Sequence, residues 1–260
     1  MLENIKTFVL DMDGTIYLGN ELFPFTKDFL SRVENTGRKF YFFTNNSSKS
    51  QQAYIEKLAD MGIRADKEQM MISSHVMIEY LQRNHAGRSV YVVGTPSLVN
   101  EFKRFGIPLA EEDPDIVILG FDTTLTYEKL SKACHYIRNG CIYYGINPDL
   151  NCPMEGGTFI PDCGSMAKLV EASTGRYPEF FGKPSEHTLD YIVRKTGCRQ
   201  EEIAVVGDRL YTDIAVADGS HVTSVLVLSG ESTAEDAEKS NVKPDLIVKD
   251  LSEITKELNE

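Results

Sequence analysis

The chain has 260 residues, enough for one large domain or two modest ones, and its 42% hydrophobic and 25% charged residues suit a protein that buries a core. Acids outnumber Lys and Arg by 39 to 27, a formal charge of −12, which offers no general attraction to nucleic acid or to anionic membranes. An anionic substrate would therefore need a local positive charge, from a metal or from a placed Lys or Arg. In chain order, 5–10 reads as a strand, 25–35 as a helix, 39–43 as a strand, and 49–61 as a helix closed by Gly62. Helices are expected over 74–83, 97–105, 127–139, 165–174, 188–196 and 251–258, with strands over 89–93, 115–119, 141–146, 203–206 and 222–228. This βα alternation predicts the α/β class: a doubly wound, Rossmann-like parallel sheet covered by helices. Strands near 5–10, 39–43, 203–206 and 222–228 end beside acids, hydroxyls or glycine, whereas 83–178 has βα units of its own. We read 1–82 and 179–260 as one core domain, and 83–178 as an α/β domain inserted into it.

Ligands of open α/β sheets gather at the carboxyl ends of strands, so chemistry is sought there. The run Phe8-Val9-Leu10-Asp11-Met12-Asp13-Gly14-Thr15 delivers two carboxylates to a sharp glycine turn, either as a cation site or as a capped strand end with solvated acids. A calcium loop fails here, because the positions that need Gly and Glu hold Ile16 and Leu22. At Phe43-Thr44-Asn45-Asn46-Ser47-Ser48, the Thr hydroxyl and the following N–H groups can donate to phosphate, or the serines can simply cap a helix. Lys183, in Gly182-Lys183-Pro184, is either an ordinary solvated charge or the fixed cation that a phosphate needs. In Val206-Gly207-Asp208-Arg209-Leu210-Tyr211-Thr212-Asp213, Asp208 can reach a metal while Asp213 supports it, or Asp208 or Thr212 caps a helix running toward Ala217.

Other chemistries lack their residues. The five histidines show no HxH or HExxH spacing, and there is no GxGxxG fingerprint or GxxxxGK[ST] loop. Cys134, Cys141, Cys152, Cys163 and Cys198 form no CxxC pair, which argues against a disulfide framework or structural zinc and for reduced thiols in the cytoplasm. Apolar runs such as Ile116-Val117-Ile118-Leu119 are far too short to cross a bilayer, and no signal peptide is evident. Tyr143 and Tyr144 are expected in the core of the insert.

Taken together, the Asp11–Thr15 string, Thr44, Lys183 and the Gly207–Asp213 string resemble, in order, the four motifs of the haloacid dehalogenase superfamily. The strings TNNSS, NPDLNCP, GKPS and GDRLYTDI resemble its NagD and p-nitrophenylphosphatase branch, which carries a C2a cap between the second and third motifs. The resemblance implies Asp11 as the nucleophile that forms an aspartyl-phosphate and Asp13 as the acid and then the base. It implies Thr44 and the Asn45 backbone as phosphate donors, with Lys183 as charge compensation. It also implies Mg²⁺ held by the Asp11 and Asp208 carboxylates and the Asp13 carbonyl, supported by Asp213. Dehalogenases lack the second Asp, and mutases usually carry a cap between the first two motifs, where only 33 positions separate Asp11 from Thr44. The expected activity is thus a cytoplasmic phosphoric monoester hydrolase acting on small phosphorylated metabolites: nucleoside monophosphates, sugar phosphates or p-nitrophenyl phosphate. A phosphotransferase or mutase and a non-catalytic phosphometabolite binder are the alternatives, and a homodimer stays open. The segment 145–153 resembles the specificity loop of such caps, so Asn147, Asp149 and Asn151 either face the leaving group or belong to a surface loop of turn formers.

Overall fold

Strands and helices alternate along nearly the whole chain, of which a computed structural model describes residues 2–154 and 157–258. Strand β1 (Thr7–Leu10) leads to a hairpin of β2 (Tyr17–Leu18) and β3 (Glu21–Leu22), then α1 (Thr26–Asn35), β4 (Lys39–Thr44), α2 (Gln51–Asp60) and β5 (Met70–Ile72). Next come α3 (Ser73–Asn84), β6 (Val90–Val93), α4 (Pro96–Arg104), β7 (Ile116–Leu119), α5 (Tyr127–Arg138) and β8 (Ile142–Gly145). An antiparallel pair, β9 (Asn151–Pro153) and β10 (Phe159–Pro161), precedes α6 (Cys163–Thr174) and β11 (Glu179–Phe180). The remainder supplies α7 (Glu186–Thr196), β12 (Ile203–Gly207), β13 (Thr223–Val227), α8 (Ala234–Lys239), β14 (Leu246–Val248) and α9 (Leu251–Glu257). No helix among the described residues is long and apolar enough to cross a membrane.

The chain divides into two compact units. One holds the described residues up to Thr44, Tyr54–Met71 and the described residues from Lys183 onward; the other holds Asn45–Ala53 and Ile72–Gly182. The boundaries read from sequence, 82/83 and 178/179, differ from this division. Helix α3 groups with the second unit because it buries Val76, Met77, Ile78 and Leu81, and because its His75 Nε2 lies 2.7 Å from Glu101 Oε1 of α4.

The first unit is built on a six-stranded sheet in the order β14-β13-β12-β1-β4-β5, the doubly wound arrangement expected from the βα alternation. Strand β1 runs parallel to both neighbours, with Leu10 level with Val206 of β12 and with Phe42 of β4. All four of its residues are buried, which is why it reads as an unbroken apolar run rather than an alternating one. Below it Phe8 meets Phe29 of α1 edge to face, ring centroids 5.6 Å apart. Successive strands wind outward from β1 through β4 on one side and from β12 through β13 and β14 on the other. The gap between β1 and β12 is therefore the topological switch point, where such sheets open a crevice at their carboxyl ends.

The stretch beyond Arg209, a helix running toward Ala217 under the capping alternative, is one wide π turn (Leu210–Ile214) followed by a 3₁₀ turn (Ala215–Ala217). Two side chains draw the N–H groups at its start away from an ordinary helical cap: Asp213 Oδ2 accepts from Arg209 N at 3.0 Å and Ser232 Oγ from Leu210 N at 3.3 Å.

The second unit carries a parallel sheet, β11-β8-β7-β6, with the β9–β10 hairpin beside it. Helices α4, α5 and α6 begin at side-chain caps: Thr95, Thr126 and Asp162 accept from the N–H groups of Leu98, Lys129 and Cys163. Val117, Leu119, Phe121, Ile137, Tyr143 and Val170 share one core cluster, and Tyr144 is also buried, packed on Phe181 at 5.1 Å between ring centroids.

Candidate active site

Asp11 follows directly on β1, and its N–H donates to Val206 O of β12 at 2.8 Å, so the pairing of the two strands fixes where the carboxylate emerges. Its Oδ1 accepts from Lys183 Nζ at 2.7 Å. Lys183 is 4% exposed and donates also to Asp213 Oδ1 at 2.6 Å and to the Phe43 carbonyl at 3.2 Å. A buried ammonium bonded this way is held rather than solvated. Burial works against its charge, but Asp11 and Asp213 outweigh that effect and raise its pKa.

Asp208 leaves the end of β12 and is 2% exposed. Its Oδ2 accepts from Glu231 N at 2.7 Å, while its Oδ1 is buried with no hydrogen-bond partner among the described residues. Two glycines make room for this carboxylate: a Cβ on Gly14 would lie 2.3 Å from Oδ2, and one on Gly230 would lie 2.0 Å from it. Gly14 also takes φ +91°, a conformation that side chains disfavour. Asp213, in the π turn, has its two oxygens engaged by Lys183 and by Arg209 N.

Carboxylate oxygens of Asp11, Asp208 and Asp213 lie within 4.8 Å of one another. Burial, then Asp213, pushes Asp11 up to about 7 despite Lys183, and burial together with Asp11 and Asp213 drives Asp208 well above the usual carboxylate range. Three clustered acids, two of them bonded to one ammonium and the third with a carboxylate oxygen left unsatisfied, suit a hard divalent cation. Such an ion would take up Asp208 Oδ1 and reverse the repulsion that now favours protons.

Asp13 is half-buried and lies outside that triad. Its pKa is raised by burial, with Lys57 and the Gly19 N–H opposing. The Lys57 ammonium sits 3.9 Å from the centre of the Tyr17 ring, and Tyr17 is bridge-paired with Asp13. Thr44 closes β4, buried, whereas Asn45 is grouped with the second unit, its Nδ2 donating to Asp149 Oδ2 at 2.8 Å. The 145–153 segment is not uniformly a surface loop. Asn147 and Asp149 are 0% and 4% exposed and bonded to each other, and Asn151, at the start of β9, is exposed. Sequence reasoning missed Gly230, the Glu231 N–H, and Arg209, whose Nε lies 3.0 Å from Glu231 Oε2. The only signal was a Ser-Gly-Glu-Ser turn following a strand.

Residues 8–108 match the family model described as haloacid dehalogenase-like hydrolase, and residues 180–254 match a second model of HAD-hydrolase-like proteins. The chain belongs to the haloacid dehalogenase-like hydrolases. This hydrolase is 34% identical to the acid sugar phosphatase of Staphylococcus saprophyticus, over 99% of both chains. It superimposes on the 4-nitrophenylphosphatase of Thermotoga maritima with a TM-score of 0.95 and 42% identity, covering 99% of each. It also matches a glycerol phosphate phosphatase from Mycobacterium tuberculosis, solved in complex with calcium, with a TM-score of 0.88, 31% identity, and coverage of 95% of this hydrolase and 73% of that chain.

Proposed function

We propose that this hydrolase is a magnesium-dependent phosphatase that cleaves small phosphomonoesters through an aspartyl-phosphate on Asp11. The observation that carries the reading is the Lys183 ammonium tying Asp11 to Asp213, beside the unpartnered Oδ1 of Asp208. The enzyme is a phosphoric monoester hydrolase of its superfamily and uses a divalent metal, and the all-oxygen donor set favours magnesium or a similar hard ion. The Asp11 and Asp208 carboxylates and the Asp13 carbonyl would hold it. When bound, the ion supplies charge compensation between nucleophile and phosphate.

Asp11 attacks phosphorus, while Asp13 gives its proton to the leaving oxygen. Asp13 then takes a proton from the water that attacks the phosphorus of the aspartyl-phosphate, and cleavage of the bond between phosphorus and the Asp11 oxygen releases phosphate and restores the Asp11 carboxylate. The raised pKa of Asp13, from burial, suits a group that must hold a proton in one half of the cycle and release it in the other. Lys183 offsets negative charge on Asp11 and on the equatorial phosphate oxygens, and the Thr44 hydroxyl and Asn45 N–H donate to those oxygens. The named relatives favour sugar phosphates, glycerol phosphate and p-nitrophenyl phosphate as substrates. A cytoplasmic setting is supported by five cysteines that are all free thiols.

The test is phosphate release from p-nitrophenyl phosphate and a panel of sugar and nucleoside monophosphates, with Mg²⁺ and with EDTA. Native protein should turn over only with the metal, and Asp11→Asn should show no turnover. Asp13→Asn should lose about 10²–10⁴-fold in kcat while keeping metal affinity. Metal-independent turnover, or an active Asp11→Asn protein, would sink this mechanism.

A further inference from the structure

The second unit contains a buried polar cluster that the reaction as proposed leaves without a task. Asn147 has no exposed surface; its Oδ1 accepts from Ser47 Oγ at 2.8 Å, and its amide donates to Asp149 Oδ2 and Asp162 Oδ1, both at 2.9 Å. Asp149 Oδ2 accepts in addition from Asn45 Nδ2 at 2.8 Å. The segment from Asn45 to Ser48 is fastened at further points. Ser73 Oγ donates to the Asn45 carbonyl at 2.7 Å, Phe121 N to Ser47 Oγ at 2.9 Å, and Thr95 Oγ1 to the Ser48 carbonyl at 2.8 Å. The packing there is close enough that a Cβ on Gly182 would come within 2.7 Å of Asn45 Oδ1.

A buried network of amides and carboxylates has few arrangements that satisfy all its members, so it holds its parts in one of them. Asn45 is gripped at its side chain by Asp149 and at its carbonyl by Ser73, so the residue that carries the N–H is held from two sides. Leaving-group contact asks for the reverse: polar atoms open to a ligand. Asn147 spends its carbonyl oxygen and both amide hydrogens inside the protein.

We infer that Asn147 and Asp149 are positioning residues for phosphate rather than contacts to the leaving group. They hold Asn45 through its side chain, and its N–H follows the Thr44 hydroxyl as a phosphate donor; the inference rests on that proposed role of Asn45. Because every substrate presents the same phosphoryl group, these residues set phosphate affinity uniformly and leave the ranking of esters alone.

The test uses the intact protein. Inorganic phosphate is titrated calorimetrically with Mg²⁺ present, and kcat and KM are measured for p-nitrophenyl phosphate and one sugar phosphate. Folding of each variant is checked by circular dichroism. Asp149→Ala should weaken inorganic phosphate about tenfold and raise both KM values by the same factor, as expected for a lost buried hydrogen bond. Asp149→Asn, which keeps an oxygen facing the two amides, should recover most of the loss. Asn45→Ala should match Asp149→Ala, and the double variant should be no worse than either alone, because one residue acts through the other. A purely structural role would lower the melting temperature of these variants and leave phosphate affinity of the folded protein unchanged. The inference is overturned by native-like phosphate affinity in folded Asp149→Ala, by unequal changes for the two esters, or by losses that simply add. Native protein that binds phosphate without hydrolysing either ester would remove the phosphatase reading, and the affinity measurements would still decide the role of Asp149. Native protein that binds no phosphate would remove both.

Discussion

Asp11, Asp208 and Asp213 crowd together, with Lys183 bonded to Asp11 and Asp213, and that excess of acid shapes how the protein responds to protons. Asp11 is raised from 3.8 to about 7, first by burial, and Asp208 is raised too, so without metal the folded state keeps protons that the unfolded chain releases as pH climbs above 3.8. The contribution of Asp11 is fully present below that value and is lost as pH rises through about 7, and that of Asp208 is lost in the same direction. The melting temperature in EDTA should therefore fall between pH 5 and pH 8, and saturating divalent metal should flatten the decline by binding the ionised carboxylates. A rise over that range in EDTA would contradict the burial of excess acid at this site. Glu202 works in a separate window: Lys6 and Arg199 hold it down to about 2, and that contribution disappears only in acid. Gly230 supplies a second residue-scale test. A methyl group 2.0 Å from Asp208 Oδ2 would force the carboxylate off the Glu231 N–H. Gly230→Ala should cost about 10–100-fold in metal affinity, as loss of a supporting bond to a ligand typically does. Fluorescence or calorimetric metal titration reads it directly.

Among the elements, α6 and α7 both end on a glycine in the left-handed region, Gly175 at φ +71° and Gly197 at φ +66°, with open space where a Cβ would stand. Alanine at either position should thus cost only backbone strain, about 1 kcal/mol, visible as a lower denaturant midpoint at unchanged slope and with unchanged kcat. A loss several times larger would mean that these chain reversals carry packing as well. The same elements show where a linear sequence is readable. Strands β1, β7 and β12 stand out because burial on both faces demands unbroken apolar runs. The strands β2, β3 and β11 have two residues each, and β5, β9, β10 and β14 have three, too few to show a period, and only their pairing partners define them. The site divides in the same way. Asp11, Lys183 and Asp208 are legible because carboxylates and a lysine at strand ends and tight turns have a chemical signature. The Glu231 N–H has none, since every residue but proline owns one. Asn147 and Asp149 read as turn formers because their partners Ser47 and Asn45 lie 100 and 104 residues away, beyond any local pattern.

For the whole molecule, a charge of −12 sets the protein against its own anionic substrates at long range. Raising ionic strength from about 0.01 M to about 0.15 M shortens the Debye length from about 30 Å to about 8 Å and screens that repulsion. At fixed metal concentration kcat/KM should accordingly increase with salt, and a decrease would show that local positive charge steers the substrate instead. The order in which the chain is laid down has a consequence of another kind. Strand β1 is central to its sheet, yet Thr7 pairs on one side with Lys39 and on the other with Ile203. During synthesis the first strand leaves the ribosome with one flank unfilled, and it waits on the order of ten seconds or more at ordinary elongation rates for its second neighbour. Meanwhile most of the second unit emerges as one continuous stretch, Ile72–Gly182, able to fold in the interval. Lys183, Asp208 and Asp213 follow Asp11 by 172, 197 and 202 residues, so a fragment released before they are made has Asp11 without the partners that surround it.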